Sequence, residues 1–345
     1  MKIYVLPISG GGFAVQLSFL KIINEATKKL YDTGIKPDLV LGSSGGQVAA
    51  YIAMIGNWDN AMIMKNVNLI KSSLFIESWT PSFFPTWIVF PLTGSIYRSG
   101  NGIRNLFRKV YTPTSITSTE IWSGTYNSKT QKSAMFCNLS SDKAKIKDFK
   151  DDKYIYDSEK SMYLNGNIDD IAKVAYASAS IPYVTPGVLI HDEIHIDGGV
   201  AFCSPIIPMK HQVIDVIRAG ATKDDPLQIY YFSSYDMNEK FSDNFYLGSV
   251  GLLIHAMLIQ DRASTVDLLR EFGPISECPK IYSDLNIKKF EEIMTLYSKK
   301  SFILMFYPLK ADSVSITSFG SKEVVDILKR NELNFSVMIY ELLAK

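Results

Sequence analysis

Residues 39–46 read Leu-Val-Leu-Gly-Ser-Ser-Gly-Gly, and this stretch decides the predicted fold. The apolar residues at its start predict a short buried strand. Residues 47–55 are apolar and rich in alanine, so we expect a helix that ends at Gly56. The Gly-x-Ser-x-Gly pattern from Gly42 to Gly46 therefore lies where a strand turns sharply into a helix. That setting is typical of a nucleophile elbow, which exposes the hydroxyl of the central residue, here Ser44.

The chain before this stretch predicts a parallel strand pair. Residues 3–8 form an apolar run that ends at a glycine-rich turn, and residues 13–31 place apolar side chains at helical spacing. Gly34 then acts as a stop signal, and Pro37 precedes the strand at residues 38–41. A strand, helix and strand in this order predict neighbouring parallel strands with a right-handed crossover.

The remaining sequence continues to alternate strands and helices. We predict further strands at residues 134–139, 187–190, 193–196, 227–232 and 302–307. We predict further helices at residues 58–72, 168–179, 247–271 and 321–343. Such alternation is typical of an α/β layered fold with a mostly parallel central sheet.

Composition excludes several functional classes. The 345 residues include 36 Lys and Arg against 35 Asp and Glu, a net charge of +1, so no nucleic-acid partner is expected. The three cysteines are odd in number and widely separated, which argues against a disulfide framework and favours a reducing, cytoplasmic location. They lack CxxC spacing, which argues against a thiolate metal site. No apolar run reaches the length of about 18 residues expected of a membrane span. Any membrane contact is therefore expected to be peripheral.

The glycine-rich turn after the first strand consists of Gly10, Gly11 and Gly12. The carboxyl ends of neighbouring parallel strands converge on one crevice, so this turn is expected to face Ser44. Three glycines leave backbone N–H groups free to stabilise an oxyanion of the kind formed in acyl transfer. A dinucleotide loop is the competing interpretation, but Gly-x-Gly-x-x-Gly would need a glycine where Val15 stands.

An acidic residue, Asp197, follows a later predicted strand. Asp197 comes directly after Ile194-His195-Ile196 and precedes Gly198-Gly199, so a carboxylate is expected at a strand exit beside a flexible turn. An isolated Asp-Gly-Gly is more often a simple turn. A serine nucleophile usually has a histidine base, but none of the four histidines lies in a recognisable catalytic loop. The sequence therefore favours Asp197 itself as the base.

Four motifs together resemble those of the patatin-like phospholipases, in the order of that family. They are the Gly10–Gly12 turn, the elbow at Ser44, the segment Ala177-Ser178-Ala179-Ser180-Ile181-Pro182 and Asp197-Gly198-Gly199. The resemblance implies a three-layer α/β sandwich with a catalytic region at residues 1–208. Residues 209–345 would then complete that domain or pack on it.

The resemblance also implies a chemistry. Ser44 would be the nucleophile of a Ser–Asp dyad with Asp197, and the Gly11 and Gly12 amides, shaped by Gly10, would form the oxyanion hole. The implied activity is hydrolysis of fatty acyl esters of phospholipids or neutral lipids through an acyl-enzyme, with no cofactor or metal.

One departure from the family pattern keeps alternatives open. The family turn continues as Gly-x-Arg/Lys-Gly, whereas Gly12-Phe13-Ala14-Val15 lacks both the basic residue and the last glycine. An acyltransferase on the same fold and a lipid-binding pseudoenzyme therefore remain alternatives. The aromatic segment at residues 74–97 is interpreted as core filling or, as the second choice, a contact with a lipid surface.

Overall fold

The structure is a computed structural model of the chain. It describes residues 4–8, 37–47, 50–51, 104–105, 108, 119–146, 162–182, 185–208, 228–232, 278–297, 302–308 and 335–341. The first six strands are β1 (Tyr4–Ile8), β2 (Leu39–Ser43), β3 (Glu120–Asn127), β4 (Lys132–Cys137), β5 (Val188–Ile190) and β6 (Glu193–Asp197). The next four are β7 (Gln228–Phe232), β8 (Lys280–Leu285), β9 (Phe302–Pro308) and β10 (Phe335–Glu341). The helices whose ends the structure describes are α1 (Ile168–Ser178) and α2 (Ile287–Tyr297), with a 3₁₀ turn at Gly198–Val200. Residues 45–47, 50 and 51 are also helical.

All ten strands that the structure describes belong to one sheet. Its order is β5-β6-β3-β2-β1-β7-β9-β10-β8, and β4 pairs with β3 beside this path. The centre is parallel, because β1 pairs with β2 and β7, β2 pairs with β3, and β7 pairs with β9. Strands β2 and β7 are buried along their whole length, as expected for central strands that are covered on both faces.

The flanks of the sheet are antiparallel, so the sheet is mixed rather than mostly parallel as predicted. Strand β3 pairs antiparallel with β4 and β6, β5 with β6, and β10 with β8 and β9. Short connections explain the antiparallel β3–β4 and β5–β6 pairs, since a parallel pair needs a longer crossover. His191 and Asp192 alone join β5 to β6, and their φ angles of 48° and 62° suit a two-residue hairpin turn.

One predicted helix is wrong in part. The expected helix at residues 321–343 contains strand β10, which pairs with β9 on one edge and β8 on the other. The side chains of Val337 and Ile339 are buried. Their β-branched shape favours a strand once two neighbours are available for pairing.

Several predicted elements are confirmed, and others lie outside the described residues. Strands β1, β2, β4, β5, β6, β7 and β9 and helix α1 lie where the sequence predicted them, with small differences at their ends. Strands β3 and β8 and helix α2 were not predicted. The predicted helices at residues 13–31, 58–72 and 247–271 and the aromatic segment at 74–97 lie outside the described residues.

The sheet continues into the C-terminal part of the chain. Strands β7, β8, β9 and β10 all lie beyond residue 208 and extend the sheet from β1 outward. The boundary between residues 1–208 and 209–345 remains a prediction. The three-layer arrangement also remains a prediction, although α1 packs against β3, β5 and β6.

Helix α1 is well specified by its own sequence. The side chain of Asn167 accepts hydrogen bonds from the backbone N–H groups of Asp169 and Asp170, which caps the first turn. Both aspartates also lie at the end of the helix dipole that favours negative charge. The helix ends at Ser178, and the next residues lead toward β5 and β6.

Strand β3 brings the ends of β2 and β6 together. Strand β4 occupies one edge of β3 from Trp122 to Asn127. Strand β2 pairs with β3 only as far as Gly124, and β6 pairs with it from Thr125 onward. Because a strand has two edges, β2 and β6 must share the second edge of β3. Strand β2 runs parallel to β3 and β6 antiparallel, so their carboxyl ends meet at neighbouring positions.

Candidate active site

Ser44 follows the last residue of β2 and adopts a strained backbone conformation. Its φ of 53° lies in the left-handed region that a residue with a side chain rarely adopts. The backbone N–H of Gln47 donates to the Ser44 carbonyl at 3.1 Å, so a helical turn begins directly after it. This combination of strand, strained serine and helical turn is the local geometry of a nucleophile elbow.

Gly42 is required by the tightness of this bend. A Cβ atom at this position would lie 2.5 Å from Cα of Gln47 and 3.1 Å from the carbonyl oxygen of Gly46. Both are backbone atoms, so a side chain at this position would push the elbow open. The two predicted elbow glycines, Gly42 and Gly46, therefore lie against each other across the turn.

The Ser44 hydroxyl donates a hydrogen bond to Oδ2 of Asp197 at 2.8 Å. Both residues are nearly inaccessible, with Ser44 6% and Asp197 4% exposed. The contact follows from the shared edge of β3, where Ser43 lies opposite Gly124 and Asp197 lies opposite Thr125. The sheet register therefore places the elbow and the acid next to each other.

Asp197 is held at three points. Its backbone N–H donates to the Ser180 carbonyl at 3.0 Å, and its Oδ1 accepts from the Gly199 N–H at 2.7 Å. Its remaining oxygen, Oδ2, faces Ser44. The 3₁₀ turn after Asp197 passes close to β3, since a Cβ on Gly198 would lie 2.4 Å from the Gly124 carbonyl oxygen. The carboxylate thus has one fixed orientation relative to the serine.

Burial makes Asp197 an unusually basic carboxylate. Loss of solvent raises its pKa from 3.8 to about 7, although hydrogen bonds from Ser44 and from the Gly199 N–H act in the opposite direction. A carboxylate with a pKa near neutrality can accept a proton and return it within one reaction cycle. The pair can therefore activate a hydroxyl nucleophile without an imidazole.

The two described histidines lie in other surroundings. His195 lies on β6 with its Nδ1 3.0 Å from the hydroxyl of Thr125 and its ring against Phe136. His191 lies in the exposed turn between β5 and β6. His211 and His255 lie outside the described residues. Among the residues that the structure describes, the hydroxyl of Ser44 has a carboxylate as its partner.

The C-terminal end of α1 supplies contacts that the sequence did not assign. The Ser44 backbone N–H donates to Oγ of Ser178 at 3.0 Å, and Ser178 Oγ donates to the Gly124 carbonyl at 2.6 Å. Ser178 lies in the small-residue segment at residues 177–182, so its position in that motif was the available signal. Its hydrogen bonds depend on the packing of α1 against β3 and could not be read from the sequence.

The predicted oxyanion glycines follow strand β1 in the chain. Gly10, Gly11 and Gly12 lie outside the described residues. Strand β1, which precedes them, is parallel to β2, and Ile8 pairs with Gly42. The part of the chain that the structure describes contains no cluster of three or more His, Cys, Asp or Glu side chains suited to a metal ion.

The comparison with known families agrees with the motifs and the elbow. Residues 6–209 match the sequence model of the patatin-like phospholipases, and this range includes both Ser44 and Asp197. The chain belongs to the patatin-like phospholipase family. The resemblance predicted from the four motifs is therefore confirmed. Patatin-like phospholipases are in general lipid acyl hydrolases, which supports lipid hydrolysis as the kind of activity and lipid esters as the kind of substrate.

Comparison with solved structures adds a distant neighbour. The crystal structure of VipD from Legionella pneumophila aligns with 97% of this chain and 68% of its own, at 12% identity and a TM-score of 0.33. A TM-score this low is insufficient to equate the two folds. Comparison with curated protein sequences gave no match. None of the described helices is both long enough and apolar enough to cross a membrane.

Proposed function

We propose that this patatin-like phospholipase is a lipid acyl hydrolase in which Ser44 is the nucleophile and Asp197 the general base. The observation that carries the proposal is the 2.8 Å hydrogen bond from Ser44 Oγ to Asp197 Oδ2 at a strained strand-to-helix turn. Family membership supports the lipid substrate. The contact supports the identity of the two residues, because a nucleophile and its base must lie within hydrogen-bond distance.

The acylation step follows from the direction of this hydrogen bond. Asp197 Oδ2 accepts the hydroxyl proton while Ser44 Oγ forms a bond to the carbonyl carbon of the ester. The tetrahedral oxyanion would be stabilised by the backbone N–H groups of Gly11 and Gly12, as the family resemblance implies. The carbon–oxygen bond to the leaving alcohol then breaks, and Asp197 returns its proton to that alcohol. An acyl-enzyme on Ser44 remains.

Deacylation reverses these roles with water as the nucleophile. Asp197 takes a proton from water, which attacks the acyl carbonyl and forms a second tetrahedral intermediate. Its collapse releases the fatty acid and returns the proton to Ser44 Oγ. An ordinary aspartate would be a weak base for both steps, because its pKa is about 4. Burial supplies the missing basicity by raising the pKa of Asp197 to about 7.

The substrate is proposed to be a phospholipid or another fatty acyl ester, reached at a membrane surface by peripheral contact from the cytoplasm. The low exposure of Ser44 and Asp197 supports an ester that leaves water before it reacts. Exclusion of water also strengthens the electrostatic interactions on which the dyad depends.

Turnover of fluorogenic fatty acyl esters tests the proposal, with labelling by a fluorophosphonate as the second measurement. We expect Ser44→Ala to abolish both turnover and labelling. The matched control is Ser43→Ala, which removes the neighbouring buried hydroxyl, whose hydrogen bond goes to the Phe202 carbonyl at 3.1 Å. This control should retain labelling. Turnover that survives Ser44→Ala, or labelling at another residue, would refute the assignment.

A further inference from the structure

The end of helix α1 contacts the backbones of both proposed catalytic residues. Ser178 Oγ accepts from the N–H of Ser44 at 3.0 Å, and the Ser180 carbonyl accepts from the N–H of Asp197 at 3.0 Å. The two contacts are two residues apart on one segment. They therefore connect the dyad members by a short path that does not pass through the sheet.

Ser178 is also tied to the sheet at the point where the two strand ends meet. Its hydroxyl donates to the carbonyl of Gly124 at 2.6 Å while it accepts from Ser44. Gly124 lies opposite Ser43, the residue before the nucleophile, and precedes Thr125, which lies opposite Asp197. The hydroxyl of Ser178 therefore bridges β3 and the elbow, and the side chain is fully buried.

We infer that Ser178 is a positioning residue that holds the strained backbone of Ser44 and so fixes the distance between Ser44 Oγ and Asp197. This inference rests on the proposed function of the dyad. A serine with φ of 53° persists only when its surroundings hold it there, and its N–H is one of the groups so held. Because the Ser178 hydroxyl accepts the hydrogen bond from this N–H, the Ser44 amide does not stabilise an oxyanion.

The chain provides a matched control at Ser180. Both serines are fully buried, and replacement by alanine removes one hydroxyl from each. The Ser180 hydroxyl donates to the Tyr176 carbonyl at 2.7 Å, whereas its contact to Asp197 is made by the main chain. Ser180→Ala therefore removes a local helix contact and keeps the contact to Asp197. Ser178→Ala removes the contact to Ser44.

The test compares Ser178→Ala with Ser180→Ala by fluorophosphonate labelling, ester kinetics and melting temperature. We expect labelling and kcat of Ser178→Ala to fall about 10- to 100-fold with KM unchanged, as small displacements of reacting groups are costly. Ser180→Ala should stay within about threefold of the wild type, a margin that allows for loss of one local hydrogen bond. Ser178→Thr, which keeps the hydroxyl, should recover labelling. Equal labelling rates for the two alanine variants would overturn the inference.

Amide hydrogen exchange at Ser44 separates this inference from the proposed function. Wild-type protein that is not labelled at Ser44 would contradict the proposed function. In that case exchange still decides the role of Ser178, because the hydrogen bond to its hydroxyl protects the Ser44 N–H. Faster exchange in Ser178→Ala than in Ser180→Ala supports the inference. The same exchange rate in both variants overturns it.

Discussion

Ser44 and Asp197 are 153 residues apart in the chain, yet Ser44 Oγ lies 2.8 Å from Asp197 Oδ2. The proximity arises because β2 and β6 approach each other end to end along one edge of β3. The catalytic geometry proposed for this patatin-like phospholipase therefore depends on the register of three strands, as well as on the elbow itself.

The first prediction concerns the pH dependence of ester hydrolysis. Asp197 must be ionised to accept a proton, and burial raises its pKa to about 7. The value of kcat/KM should therefore rise about tenfold per pH unit below the midpoint and level off above about pH 7. An ester without ionisable groups is the suitable substrate for this profile. An acid limb with a midpoint near 4, the ordinary value for aspartate, would contradict the prediction.

The second prediction is that Asp197→Asn is inactive but more stable than the wild type at pH 8. The folded protein binds the Asp197 proton more tightly than the unfolded chain does, since the pKa rises from 3.8 to about 7 on burial. The contribution of Asp197 to wild-type stability should therefore fall as pH rises from about 4 to about 7, and the loss should persist above that range. Asparagine carries no charge and avoids the free-energy cost of burying an ionised carboxylate, which is on the order of 4 kcal/mol at most.

Urea denaturation of both proteins at pH 8 and pH 4.5 measures this effect. The difference in free energy of unfolding should be large at pH 8 and small at pH 4.5. Comparison of the two proteins at the same pH removes the contributions of all other titrating groups. A difference that does not change with pH would show that burial does not raise the pKa of Asp197.

The third prediction concerns the elbow glycine. Gly42→Ala should lose labelling at Ser44 and destabilise the protein by about 1–3 kcal/mol, because its Cβ would lie 2.5 Å from Cα of Gln47. Gly124→Ala is the control, since its nearest contact is the flexible side chain of Met135 at 3.3 Å. Thermal unfolding and labelling of the two variants should differ clearly. A Gly42→Ala protein that labels normally would show that the elbow tolerates a side chain.

The fourth prediction concerns the turn after Asp197. A methyl group at Gly198 would lie 2.4 Å from the Gly124 carbonyl oxygen, so Gly198→Ala should move Asp197 away from Ser44 and slow labelling about tenfold or more. Gly187→Ala makes a similarly close contact, 2.6 Å, but with Cγ2 of Ile194, whose side chain is 51% exposed and can shift toward solvent. Gly187→Ala should label normally. Equal labelling of the two variants would mean that the Gly198 turn does not set the position of the acid.

The elements that the sequence predicted are those specified by residues close together in the chain. The apolar run before Gly42 and the small residues around Ser44 define the strand and its sharp turn locally. Asn167 and the acidic residues after it likewise define the start of α1. By contrast, β3 has Ser123, Gly124 and Thr125 at its centre. Its apolar and polar residues do not alternate, because both of its faces are buried. Strand β10 required neighbours on both edges before its β-branched residues could favour a strand over a helix.

The sequence by itself determined that Ser44 lies on an elbow, that Asp197 lies at a strand exit, and that both belong to the motifs of one family. Only the tertiary structure decided that the two side chains meet and that Ser178 holds the Ser44 backbone. The physical reason is that a tight turn is encoded by the size of its own few residues. A contact across 153 residues is set by strand register and helix packing, which no short stretch of the sequence specifies.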